Sequence, residues 1–192
     1  MLRITAGSLK GRKLRFESSN NQTRPTLSFV REAIFSSLNS LVDGANFLDL
    51  FAGSGIMSFE AISRGASFAE CIEKNRHLCN QINSNKSNFL LGDSLNVLNL
   101  DSERYLKKFA KKDFFDIVYL DPPYDSRMYE LCLNLILDNS ILKQNAVIIM
   151  ESSFRDDELS QIFLKLKTNH QSLNIFKQKN YGQTKLTYYN FE

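Results

Sequence analysis

Asp121-Pro122-Pro123-Tyr124 follows directly on the apolar run Phe115-Asp116-Ile117-Val118-Tyr119-Leu120. A run of that length, rich in β-branched and aromatic residues, reads as a buried strand. Two successive prolines end it, because neither has an N–H to continue a sheet ladder. An acid, two rigidly placed carbonyls and an aromatic ring are left at the strand end. That set suits the capture of a planar amine, with acceptors for its N–H groups and a ring to stack on the base that carries it. The competing reading is a Pro-Pro turn that merely stops a strand.

A second group of residues lies upstream. Asp49 precedes Phe51-Ala52-Gly53-Ser54-Gly55, and Glu73 stands twenty residues beyond Gly53. Glycines after a strand let the backbone approach a ligand and turn into a helix. An acid about twenty residues on is where dinucleotide folds hold ribose hydroxyls. A nicotinamide cofactor would call for a third glycine at position 58, where Ser58 stands. An adenosine ligand without pyrophosphate fits better. S-adenosylmethionine has a ribose for Glu73, an adenine amine for Asp93 beside Ser94, and a methionine end to lie over the glycine loop. Asp49 reads equally as a loop-capping acid or a ligand contact. Glu151 reads as a pocket wall or a cap.

These residues need strands to hold them at one end of a sheet. Residues 1–16 read as a hairpin, Leu2–Thr5 against Arg12–Phe16, with Leu14 and Phe16 on one face and Lys13 and Arg15 on the other. A helix follows Arg24-Pro25, with Thr26 as its cap and Leu27, Val30, Ile34 and Leu38 toward the core. From residue 46, strands are expected at 46–50, 67–73, 88–91, 115–120 and 146–150. Helices are expected to 65, over 75–86, within 94–111, over 128–137 and over 157–167. Strands at 172–177 and 186–191 close the chain as a hairpin, the last running antiparallel. The alternation predicts a parallel α/β sheet with helices on both faces, and ligands bind at the carboxyl ends of such strands.

Composition narrows the function. The chain has 192 residues, 43% hydrophobic, and a net charge of +3. Residues 1–31 carry seven basic groups against Glu17, a net of +6, while the rest carry 17 basic and 20 acidic groups. A basic arm on a slightly acidic body points to a polyanion, and Arg3, Lys10, Arg12, Lys13, Arg24 and Arg31 are its candidate contacts. Lys107, Lys108, Lys111 and Lys112 read as a solvated helix face. No apolar run reaches the length of about 18 residues that a membrane span requires. The start lacks a signal peptide's apolar core, so a cytoplasmic protein is expected. Cys71, Cys79 and Cys132 lack metal-ligand spacing and read as buried thiols; with two scattered histidines, no metal site is expected.

Taken together, the chain resembles class I S-adenosylmethionine-dependent methyltransferases. More closely, it resembles the RsmD family, guanine-N2 methyltransferases of small-subunit (16S) ribosomal RNA. The resemblance spans essentially the whole chain. It rests on Arg3-Ile4, Ala6-Gly7, Gly11-Arg12, Thr23-Arg24-Pro25-Thr26, Val30-Arg31-Glu32-Ala33 and Leu48-Asp49-Leu50-Phe51-Ala52-Gly53-Ser54-Gly55. It continues in Glu60-Ala61, Ser63-Arg64-Gly65-Ala66, Glu73-Lys74-Asn75, Gly92-Asp93, Asp121-Pro122-Pro123-Tyr124, Tyr181-Gly182 with Thr184, and Leu186 with Tyr189. Ile56-Met57-Ser58 departs from the smaller residues and glycine usual there.

The resemblance implies a Rossmann-like seven-stranded methyltransferase sheet over residues 45–192, with an RNA-binding hairpin and helix over residues 1–44. Asp49, Phe51, Ala52, Gly53, Ser54, Gly55, Glu73, Lys74, Asp93 and Ser94 would hold S-adenosylmethionine, leaving S-adenosylhomocysteine after transfer. Asp121, Pro122, Pro123 and Tyr124 would hold the amine. The implied partner is 16S ribosomal RNA, alone or in a small subunit, acted on by a monomer. Two other readings stand beside it. An adenine-N6 or other amino methyltransferase would use the same turn, and a non-catalytic RNA-binding protein would fail to bind S-adenosylmethionine.

Overall fold

A computed structural model describes residues 2–17, 27–123, 126–153 and 173–191. The chain divides into two compact units, Met1–Asp101 and Ser102–Glu192. Seven strands form one mostly parallel sheet, and a separate two-stranded hairpin lies at the N-terminus.

In the first unit the hairpin pairs β1 (Leu2–Arg3) with β2 (Lys13–Leu14), antiparallel, Leu2 opposite Leu14. Leu14 is buried while Lys13 and Arg15 are exposed, as the alternation required. Next comes α1 (Ser28–Leu38), then β3 (Asn46–Asp49), α2 (Ile56–Ser63), β4 (Phe68–Ile72), α3 (Arg76–Asn88) and β5 (Leu95–Leu98). These strands lie in the order β5-β4-β3, all parallel. Val30, Ile34 and Leu38 of α1 are buried. Leu27 is not. It occupies the cap position with 43% of its surface exposed, and the expected cap Thr26 lies outside the described residues.

The third strand is displaced from its expected place. Phe89-Leu90-Leu91 has the composition of a short strand, but it closes α3. The Leu90 N–H bonds to the Ser87 carbonyl at 3.1 Å and the Leu91 N–H to the Lys86 carbonyl at 3.2 Å. A 3-10 turn over Gly92–Ser94 follows, and the strand begins only at Leu95.

The second unit contains α4 (Ser102–Lys108), β6 (Phe115–Leu120), α5 (Ser126–Asp138), β7 (Leu142–Ser153), β8 (Leu173–Tyr181) and β9 (Thr184–Phe191). Its strand order is β6-β7-β9-β8, with β6 and β7 parallel and β9 antiparallel to both neighbours. Ile117 to Leu120 and Ala146 to Met150 are buried at every position. Successive strand side chains face opposite ways, so both faces of these strands are covered, as in the interior of an α/β sheet. On α5 the buried residues Tyr129, Cys132, Leu133, Ile136 and Leu137 recur at helical spacing. Cys132 is therefore a core residue. The helix expected over 157–167 lies outside the described residues. Among the described residues no helix is long and apolar enough to cross a membrane.

Candidate active site

The first unit carries the glycine loop. Gly53 and Gly55 have φ of 52° and 76°, the left-handed region that glycine enters without a Cβ clash. Any Cβ at Gly55 would also press on Ile82 of α3 at 3.1 Å. The loop is held by Glu73. Its Oε2 accepts from the Gly53 N–H at 2.9 Å and its Oε1 from the Asn75 N–H at 2.7 Å. One carboxylate thus ties the loop to the start of α3, where the Asn75 side chain caps the helix by accepting from the His77 and Leu78 N–H groups. Each carboxylate oxygen keeps acceptor capacity for a ligand hydroxyl. Lys74 follows, exposed, and its carbonyl accepts from Asn99 Nδ2 at 2.8 Å.

Asp49 ends β3 beneath this loop, 1% exposed. Ser58 Oγ donates to its Oδ2 at 3.3 Å, and its Oδ1 makes no hydrogen bond among the described residues. Burial pushes the carboxyl up to about 7, helped by the charge of Glu73 and opposed by the bonds from Ser58 and the Phe51 backbone. Ser58 belongs to the stretch Ile56-Met57-Ser58, and its hydroxyl partners the acid below the loop. Cys71, also fully buried beside Asp49, is raised well above the usual thiol range by burial and is no nucleophile.

A buried acid with an open acceptor, a tight glycine loop and a half-buried acid able to take two hydroxyls offer the acceptors that a cationic adenosine ligand requires. The chemistry of Asp49, of Glu73 and of the loop Phe51, Ala52, Gly53, Ser54 and Gly55 fits S-adenosylmethionine. Asp93 and Ser94 do not join them. They lie in the turn before β5, and Ala69 to Ile72 pair in parallel with Leu95 to Leu98. That register puts Asp93 at the amino end of β5 and Glu73 beside its carboxyl end, a strand length of roughly 13 Å apart. The residues at the carboxyl end are Asn99 and Asp101. Asn99 Nδ2 donates to the Glu73 and Lys74 carbonyls at 3.0 and 2.8 Å, so it sets the backbone from which Glu73 projects. Sequence reasoning missed both residues by ending the strand too early. The signal was Leu95-Asn96-Val97-Leu98, a clearer strand than the run before it.

The second unit carries the turn. Asp121 is half-buried, Pro122 buried and Pro123 exposed, while Tyr124 lies outside the described residues. Leu120 pairs with Met150, which sets Asp121 alongside Glu151. Tyr119 Oη donates to Glu151 Oε2 and Tyr129 Oη to the Glu151 carbonyl, both at 2.5 Å. Tyr119 precedes the turn and Tyr129 follows it on α5. Glu151 therefore fastens the chain on both sides of the Asp-Pro-Pro turn, a positioning role.

The basic arm is partly where it was expected. Arg3, Lys10, Arg12 and Lys13 are exposed, and Arg24 lies outside the described residues. Arg31 is a correction. It is 3% exposed, donates to Glu60 Oε1 at 3.4 Å and to the Arg3 carbonyl at 2.9 Å, and so supports the hairpin from inside. Lys107, Lys108, Lys111 and Lys112 are exposed; Lys107 pairs with Glu103 at 2.6 Å.

Comparison with known proteins decides the family. The model of a family described as "Conserved hypothetical protein 95" matches residues 2–190. The chain is 36% identical over 152 residues to ribosomal RNA small subunit methyltransferase D of Haemophilus influenzae, covering 79% of this chain and 78% of that one. The chain belongs to the RsmD family. An RsmD relative from Escherichia coli K12 is 36% identical over 151 residues, 79% of this chain and 74% of that one. The solved structure of yhhF from Escherichia coli is 31% identical, with a TM-score of 0.83 over 100% of this chain and 98% of that one. More distantly, the S-adenosylhomocysteine-bound methyltransferase PaMTH1 of Podospora anserina shares the fold at 12% identity and TM-score 0.69, covering 88% of this chain and 80% of that one.

Proposed function

We propose that this protein transfers a methyl group from S-adenosylmethionine to the exocyclic N2 amine of a guanine in small-subunit ribosomal RNA. The observation that carries the chemistry is the Asp121-Pro122-Pro123 turn at the end of β6, fastened on both sides by Glu151. The substrate rests on the RsmD relatives, which are named for the small-subunit ribosomal RNA.

S-adenosylmethionine supplies an electrophilic methyl group on a sulfonium. Glu73 takes the ribose hydroxyls, the glycine loop packs against the ligand, and Asp49, whose proton burial holds to about 7 in the unliganded fold, ionises against the ligand's positive end. A guanine N2 amine is a weak nucleophile, because its lone pair is delocalised into the ring. The Asp121 carboxylate and the Pro122 carbonyl accept its two N–H bonds and aim the lone pair at the methyl carbon. The nitrogen gains positive charge as the N–C bond forms and the S–C bond breaks. Acceptance by Asp121 strengthens with that charge, which favours the transition state over the ground state. The methylated nitrogen is acidic, and its proton passes to Asp121 or to solvent. The ring of Tyr124 stacks on the base, which must be unstacked from its neighbours to reach the turn.

Residues 1–44 serve as the RNA-binding part and residues 45–192 as the methyltransferase part, acting as a monomer in the cytoplasm on RNA or an assembling subunit. The test is methyl transfer from labelled S-adenosylmethionine to RNA and small-subunit particles from a strain lacking the gene, with nucleoside analysis. N2-methylguanosine is expected; methyladenosine would keep the turn's mechanism and discard the substrate. Asp121→Ala is expected to abolish transfer and leave S-adenosylhomocysteine affinity unchanged; loss of that affinity would remove Asp121 from its role.

A further inference from the structure

Helix α3 ends in a residue that folding does not explain. The bonds from Leu90 to Ser87 and from Leu91 to Lys86 are the paired closure that usually has glycine at the left-handed position. Leucine stands there instead, with φ of 57° and 90% of its surface exposed among the described residues. A branched apolar side chain in this backbone region is strained, and at this exposure it gains no burial in return. Strain without a folding return marks a candidate for function.

The residues before it in the chain meet the basic arm. The Arg12 guanidinium lies over the adjacent Phe89 ring, 4.3 Å from its centroid, and donates to the Asn88 carbonyl at 3.1 Å. Phe89 is itself backed edge-on by Phe59 at 5.5 Å. Arg12 is thus fixed in orientation while remaining exposed. The arm that carries it is pinned along α3 by two side-chain amides. Asn85 accepts from the Arg15 N–H at 3.0 Å and donates to the Arg15 carbonyl at 2.9 Å. Gln81 does the same for Glu17, at 3.0 Å each way. Residues 15–17 are thereby laid along a helix, with Lys13 and Arg15 exposed. From Arg15 to Glu17 the arm runs toward the start of α3, away from Leu90.

We infer that the Arg12 guanidinium and the Leu90 side chain form a platform for an unstacked base of the RNA substrate. A fixed guanidinium plane and an apolar side chain are what a base face accepts, and the exposed cations Lys10, Lys13 and Arg15 of the same arm suit the RNA's phosphates. The inference rests on the RNA reading above and extends it to a contact on α3.

The test separates stacking from charge. RNA binding to a single-stranded oligoribonucleotide and to small-subunit ribosomal RNA is measured across salt concentration for the full chain, Leu90→Gly and Arg12→Lys. Leu90→Gly is expected to raise the melting temperature by about 2–4 °C, because the left-handed strain is removed. It is also expected to weaken RNA binding roughly five-fold through lost apolar contact. Arg12→Lys keeps the charge, so the salt slope is expected to hold while affinity falls roughly ten-fold. A Leu90→Gly protein that binds RNA as the parent does would overturn the platform and leave the RNA reading intact. A parent chain that binds no RNA would overturn both.

Discussion

Replacing Asp49 by Asn is expected to stabilise the protein, and more so at higher pH. The unfolded chain releases the Asp49 proton near 3.8, whereas the folded protein holds it to about 7 because the carboxyl is buried. The unfolded state is therefore favoured increasingly as pH rises from 3.8 to about 7, and the penalty levels off above that. At 1.36 kcal/mol for each tenfold difference in proton affinity, the ionised acid costs the fold about 4 kcal/mol at the plateau. About 2 kcal/mol of that develops between roughly pH 5.5 and 8.5. Asparagine keeps an acceptor for Ser58 and carries no charge, so it removes the penalty. Urea unfolding of both proteins at the two pH values measures this directly. The stability gap in favour of Asp49→Asn should widen by about 2 kcal/mol over that interval. A gap that stays constant, or favours the parent, would show that Asp49 is not held in its neutral form, and would refute the burial argument.

Glu60 is fully buried, accepting from the Thr5 N–H at 2.9 Å, Thr5 Oγ1 at 3.1 Å, Arg31 and Arg64. Glu60→Ala leaves Arg31 buried without its carboxylate and is expected to cost about 3–5 kcal/mol in urea unfolding; a loss below about 1 kcal/mol would indicate that Arg31 finds water or another acceptor. Gly7 has φ of 80°, and a Cβ there would lie 1.7 Å from the Ser63 carbonyl oxygen, beside the Ser8 N–H bond to that oxygen at 2.7 Å. Gly7→Ala should therefore release the hairpin from α2, with amide exchange at Ser8 and Leu9 rising well above that of the parent. Gly11→Ala, at φ of 83° with nothing within 4 Å, should cost only about 1 kcal/mol and leave those amides protected.

Much of the site was legible in the amino-acid sequence. Prolines and glycines act on their own backbone, so the end of β6 at Asp121 and the loop at Gly53 to Gly55 follow from local sterics. The strand patterns of 115–120 and 146–150 needed only a run of apolar residues long enough to be buried on both faces. Where two local signals competed, the reading failed. Phe89-Leu90-Leu91 has strand composition, yet the helix before it closes its last carbonyls with those same residues, and β5 starts after Gly92-Asp93-Ser94. That single displacement moves the acid at the carboxyl end of the strand from the expected Asp93 to Asp101.

What the chain alone determined was where the backbone must turn and which segments must be buried, because those depend on neighbours one to four residues away. Tertiary structure decided what each charged and polar side chain does. Arg31 is a structural cation and not a surface one because Glu60, twenty-nine residues on, meets it inside the fold. Ser58 is a partner to Asp49 and Glu151 a fastening for the turn for the same reason. A charge or a hydroxyl has no fixed role in sequence; the partner that satisfies it comes from a distant segment, and only packing brings the two together.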